Sequence, residues 1–225
     1  MAPIIGYIHI CQIGEWERSL RMILDALKKS KLYDAAKEIR LGILCPAEEY
    51  EKSAIFDEPK FRIVYVGKPE EYERPTLLHM KLSAETDPLD AKYFYLHTKG
   101  LKWFGTPYEP FVVDWIKLLI YWNIEKWINA SDIVGKYDTY GCNYYSGDKY
   151  PPHYSGNFFW TTTHHLKTLP AVIGAEYNDP EFWLCSAGMF GGKPNVYNAF
   201  SSELEGMGHY ATAFPEGLYR DDIDS

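Results

Sequence analysis

Two periods of apolar spacing alternate along the first hundred residues. Pro3 to Ile10 is rich in β-branched residues and lies between a proline and the turn near Gly14, which predicts a strand. Trp16, Leu20, Ile23, Leu24 and Leu27 follow at helical spacing with charges between them. Ile39 to Leu44 and Phe61 to Val66 predict a second and a third strand. Pro75 opens a helix with Leu77, Met80 and Ala84 on one face. Tyr93 to Leu96 is short and fully apolar, as the centre of a sheet requires. Strands alternating with helices predict an α/β fold with a mostly parallel sheet covered by helices. Ligands of such sheets bind beyond the carboxyl ends of the strands. That rule puts His9 to Gly14, Gly67 to Tyr72 and His97 to Gly100 on the binding edge.

The second half has a different pattern. Phe111 to Ile128, apolar nearly all round and carrying Trp115, Trp122 and Trp127, predicts one long buried helix. Tyr137 to Tyr145 and Asn157 to Thr162 predict strands joined by a loop rich in Gly, Pro and Tyr. Thr163 to Leu169 and Pro180 to Ala187 predict short helices, and Arg220 to Ser225 a loose acidic tail.

Composition narrows the function classes. A chain of 225 residues, 46% apolar, can bury a core without disulfides. Its four cysteines show no metal spacing and are expected to be buried, reduced thiols. No apolar run is long enough to span a membrane, so a cytoplasmic chain, or a domain of a larger polypeptide, is expected. A net charge of −8 argues against nucleic acid as a partner but leaves room for one nucleotide in a local cationic pocket. Aromatic residues reach 16%, and aromatic clefts suit the C–H faces of sugars as well as they suit a core. GxGxxG, Walker, GxSxG and HExxH motifs are all absent.

Four segments carry candidate chemistry. His97-Thr98-Lys99-Gly100 leaves a central strand, with Lys99 as a cation for a diphosphate and Gly100 allowing close backbone approach. Ser155, Gly156, Asn157 and Trp160 lie in a polar turn leading into an aromatic strand, suited to a hydroxylated acceptor. Asp179 and Glu181 flank Pro180 at a helix start; Asp179 can cap the helix and Glu181 suits its dipole, or either acts as a general base. His209 is a core-edge histidine or a phosphate contact from a returning loop. Asp87 and Asp90 are expected to terminate a helix, and His164 and His165 to lie on a helix surface.

Tyr95 to Gly100, the Trp-rich helix, Tyr137-Asp138-x-x-Gly141-Cys142-Asn143, His153 to Trp160 and Glu181-Phe182-Trp183 occur in that order. Together they resemble a family of glycosyltransferase domains from large DNA viruses and bacteria, chlorella-virus capsid-glycosylating domains among them. The likeness runs from Ile4 to about Tyr219. It implies a single GT-A-like (Rossmann-like) domain over 1–225, with a mixed, mostly parallel sheet of about six strands. The nucleotide-binding half would be about 1–105 and the acceptor side about 106–219.

The implied activity is transfer from a nucleotide diphosphate sugar, UDP-sugar first, to a glycan or glycoprotein acceptor such as a viral capsid protein. The implied location is then the cytoplasm, of the host if the chain is viral. Inversion, with Glu181 or Asp179 as base, is favoured over retention. By analogy Ile8, His9, Ile10 and the loop to Trp16 would line base and ribose, with Gly67, Lys68 and Thr76 completing the wall. Where such enzymes carry a metal-binding DxD, this chain has His97-Thr98-Lys99. Either Lys99 replaces part of the metal's charge, or His97 helps hold Mn²⁺ or Mg²⁺, with imidazole favouring Mn²⁺. A non-catalytic sugar-binding module and a nucleotide-sugar hydrolase are the alternatives.

Overall fold

The computed structural model describes residues 2–186, 188, 191–204 and 208–221. The first half follows the predicted alternation: β1 (Ile4–Cys11), α1 (Trp16–Lys29), α2 (Leu32–Ala35), β2 (Ala36–Leu44), β3 (Phe61–Gly67), α3 (Arg74–Ser83) and β4 (Lys92–His97). The second half contributes α4 (Glu109–Ile120), α5 (Trp127–Ile133), β5 (Thr139–Gly141), β6 (Tyr144–Tyr145) and β7 (His153–Tyr154). It continues with β8 (Phe159–Thr162), α6 (Thr163–Thr168), α7 (Asp179–Trp183), β9 (Val196–Asn198) and α8 (Gly208–Ala211).

The main sheet has seven strands in the order β3-β2-β1-β4-β8-β5-β9, one more than the six expected. β1 pairs in parallel with β2 and β4, and β2 with β3. β8 runs antiparallel between β4 and β5, and β9 returns parallel to β5. β6 and β7 form a separate hairpin.

Alternation along the central strands divides the core in two. Ile8, Ile10, Phe94 and Leu96 face α1 and α4 and belong to one buried cluster. Ile5, Tyr7, Tyr93 and Tyr95 point the other way, with Leu77 and Met80 of α3 and Trp183 of α7. The polar ends of this second face, His9 and His97, emerge where the strands stop, and their register pairs them side by side.

The predicted helix over 111–128 is two helices with a π-helical turn, Tyr121–Glu125, between them. The segment is apolar nearly all round, so the phase shift of a π turn leaves no break in its pattern and the sequence hides it. The predicted strand Tyr137 to Tyr145 breaks at Asn143, whose φ of 54° turns the chain out of the main sheet.

Gly100 exits β4 with a φ of 75°, and a Cβ there would lie 2.3 Å from Cγ1 of Val112 on α4. Helix packing, rather than ligand approach, requires this glycine. Gly100→Ala is therefore expected to cost about 2–4 kcal/mol. Thermal unfolding should show the melting temperature falling by roughly 5–15 °C.

Several expectations are corrected away from the edge. Asp87 does not merely end a helix: both its carboxylate oxygens accept from Arg40, at 2.7 and 2.9 Å, and Tyr93 donates to it. His165 is buried, its Nε2 2.9 Å from the Leu184 carbonyl, while His164 is exposed. Asp221 accepts from Lys126 and Tyr121, so the start of the predicted loose tail is anchored; Asp222 and Asp224 lie outside the described residues. All four cysteines are free thiols, three of them buried. Among the described residues no helix is long and apolar enough to cross a membrane.

Candidate functional site

The carboxyl ends of β1 and β4 meet the start of α3 around one half-buried carboxylate, Glu73. Tyr95 donates to its Oε2 at 2.7 Å and Asn157 at 2.6 Å. Burial alone would raise its pKa, but nearby His97 and His9 and these two hydrogen bonds outweigh burial and hold the carboxyl below its ordinary value. Glu73 is thus an ionised group held inside the protein by fixed donors. Sequence reasoning missed it. The available signal was an acidic residue between a strand exit on the binding edge and the Pro75 helix start.

His9 reaches Thr76 Oγ1 at 2.8 Å. This contact depends on Gly42, where a Cβ would stand 1.9 Å from that same oxygen. Thr76 is fully buried and supports His9 from behind instead of lining a ligand wall. His97 Nε2 donates to the Gly156 carbonyl at 2.9 Å, and its Nδ1 lies 3.2 Å from the Thr98 carbonyl. The Gly156 N–H in turn donates to Glu181 Oε1 at 2.7 Å. Gly156, at a φ of 96°, therefore ties the β4 exit to α7 through its two backbone groups. Three segments distant in sequence, those of His97, Gly156 and Glu181, meet here.

Lys99 lies just beyond. Its backbone N–H donates to Ser19 on α1 at 3.1 Å, and its ammonium sits 3.9 Å from the centre of the Trp115 ring. Among the described residues the ammonium has no hydrogen-bond acceptor. Burial lowers its pKa, against the opposing pull of Glu181 and Glu73. His209 stacks on Trp115 at 4.9 Å, and Tyr210 meets both Trp115 and Trp103. Asn143 Nδ2 and Ser202 Oγ both face His209 Nε2, at 3.2 and 2.8 Å, which leaves the imidazole proton on Nδ1. That Nδ1 and the indole nitrogens of Trp103 and Trp115 are buried without partners among the described residues. Orphaned buried donors are rare in folded proteins. Here three of them sit in one aromatic cluster beside an unpaired ammonium.

Other predicted site residues lie elsewhere. Ile8 and Ile10 are fully buried on the α1 face, so their side chains cannot line a nucleotide. Trp16 is buried too, stacked on Phe56 at 5.6 Å and donating to Glu51 at 3.1 Å. Trp160 is a core residue whose indole donates to the Asn123 carbonyl. Lys68 is exposed and donates to the carbonyls of Pro46 and Ala47; Gly67 ends β3 with Glu71 packed against it. Thr98 accepts from the Cys11 N–H, and Ser155 donates its N–H to the Asn143 carbonyl. Asp179 does not cap the following helix. Its Oδ2 accepts from the Glu176 N–H of the preceding turn at 2.8 Å.

The donor set does not fit a resident divalent metal. Both His97 nitrogens face carbonyl oxygens, and among the described residues no group of three His, Cys, Asp or Glu is arranged to hold one.

Burial pushes His9 down to about 4, and burial with the Lys99 charge pushes His209 down to about 4. Unfolded histidines titrate near 6.5. The unfolded chain therefore binds protons that the folded chain refuses, and stability declines as pH falls from ~6.5 toward ~4. The loss approaches about 3 kcal/mol per histidine. Urea unfolding between about pH 7.5 and 4.5 should show this slope, and His9→Asn should reduce it while the His209 share remains.

No protein-family model matches the chain, and no curated protein sequence matches it.

Proposed function

We propose that this chain is a GT-A-type glycosyltransferase that moves a sugar from a nucleotide diphosphate sugar, UDP-sugar first, to a glycan or glycoprotein acceptor. The observation that carries this is the Lys99 ammonium, without an acceptor among the described residues and set on Trp115 in a cluster with orphaned N–H groups, beside an accessible carboxylate at the carboxyl edge of the sheet. The mixed sheet agrees with the architecture the resemblance implies.

In this account Lys99 meets the diphosphate and carries the charge that a metal carries in related enzymes. A buried cation with no acceptor among the described residues is worth most against an incoming anion. Glu181 is fixed through Oε1 by the Gly156 N–H, which leaves Oε2 for the acceptor. It takes the proton of the attacking hydroxyl while that oxygen bonds to the anomeric carbon. The bond from that carbon to the diphosphate oxygen breaks, and the nucleoside diphosphate leaves with its electron pair. Attack opposite the leaving group inverts the centre. Glu73 acts at one remove, through His97, His9 and Asn157.

Release of nucleoside diphosphate from a panel of nucleotide sugars, with and without mixed saccharide acceptors, tests the proposal. Acceptor-accelerated release is expected. Release that ignores the acceptor means a hydrolase, and no release or binding with any donor removes the transferase.

A further inference from the structure

Tyr72 and Tyr177 stand at the rim of this site, and neither is explained by the core. Tyr72 is 39% exposed and Tyr177 66%. Their rings meet edge to face, 5.1 Å apart at 87°. Neither hydroxyl has a hydrogen-bond partner among the described residues. Tyr72 directly precedes Glu73 in the chain, and its ring contact with Tyr177 brings both rings beside that carboxylate.

The pair is also held at a cost. Tyr72 has a φ of 52° and a ψ of −149°, a conformation natural to glycine and strained for a bulky residue. What holds it is Arg74. Its guanidinium lies 5.3 Å from the Tyr72 ring centre, donates to the Gly174 carbonyl at 2.7 Å, and donates again to the Glu176 carbonyl. One side chain thus pins the loop carrying Tyr177 to the loop carrying Tyr72. Strain maintained this way, on an exposed aromatic next to the Glu73 carboxylate of the site, calls for a use.

We infer that Tyr72 and Tyr177 form an aromatic corner that binds a pyranose ring of the acceptor saccharide. The inference rests on the transferase reading above and names the part of the site that reading leaves open. Two rings at right angles, with Arg74 beside one of them, make an L-shaped surface and not the parallel slot that a nucleobase would fill. The C–H face of a pyranose packs on such a surface, and its hydroxyls find the free phenols and the Glu181 carboxylate.

The test is saturation-transfer NMR and titration with a panel of methyl hexosides, methyl deoxyhexosides and short oligosaccharides, on wild type, Tyr177→Ala and Tyr72→Gly. At least one saccharide should bind wild type, and each variant should weaken it tenfold or more with UDP affinity unchanged. Tyr72→Gly should also raise the melting temperature, because glycine relieves the strain; a packing residue would lower it. The corner is overturned if no saccharide binds wild type, if both variants bind as wild type does, or if UDP affinity is what falls, which would make it a base-stacking surface. Saccharide binding lost in the variants, in a protein that binds no nucleotide, keeps the corner and sinks the transferase instead. Acceptor-dependent turnover unaffected by both variants does the reverse.

Discussion

Glu181→Gln is expected to lower acceptor-dependent turnover by about 10²–10⁴-fold, with UDP affinity within about twofold of wild type. Glutamine keeps the oxygen that accepts from the Gly156 N–H, so the link from α7 through Gly156 to His97 survives. What goes is the ability to take a proton. A loss confined to kcat therefore separates chemistry from positioning. Asp179→Asn is the companion variant. Asp179 is engaged by the Glu176 N–H within its own turn, so its replacement should leave turnover within a few-fold. Full activity in Glu181→Gln together with a large loss in Asp179→Asn would move the base to Asp179. It would also mean that the turn opens when donor binds.

Lys99→Met is expected to weaken UDP by about 2–4 kcal/mol, roughly 30- to 1,000-fold in Kd. It should do so without harming the fold. Burial lowers the Lys99 pKa despite the pull of Glu181 and Glu73. A folded pKa below the unfolded one means that folding works against the charged form, and that penalty grows as pH falls below the unfolded pKa. Methionine removes it and preserves packing on Trp115, so the melting temperature should hold or rise. Equilibrium unfolding and UDP titration on the same preparation check both signs. A bound diphosphate also raises the Lys99 pKa, so binding should take up protons at alkaline pH. Titration in buffers of different ionisation enthalpy reads this directly. A Lys99→Met protein that is less stable yet binds UDP normally would make Lys99 a structural cation–π partner of Trp115.

Much of the scaffold was legible because the first half obeys two clean periods. β1, β2 and β3 lie where apolar runs with β-branched residues put them, β4 where a short aromatic run does, and the edge rule brought His9, His97 and Lys99 to the candidate site. Legibility failed where one residue's role is set by distant partners. Glu73 gives no local sign of its place in the site, because its donors Tyr95 and Asn157 are 22 and 84 residues away. Ile8 and Ile10 were drawn into the nucleotide wall by their nearness to His9. In a strand, neighbours point to opposite faces, so the fact that selects His9 excludes them. Trp160 looked like a sugar platform for its aromaticity alone, and its register with Phe94 places it in the core. The π turn after α4 and the strain at Tyr72 leave no compositional trace.

The most direct test of the central claim is calorimetric titration of the purified chain with UDP, GDP and CMP, each with and without Mn²⁺. The account predicts selective UDP binding, equal with and without Mn²⁺, and lost in Lys99→Met. Binding of UDP only with Mn²⁺ would contradict the role given to Lys99, and binding of none of the three would contradict the nucleotide-sugar transferase itself.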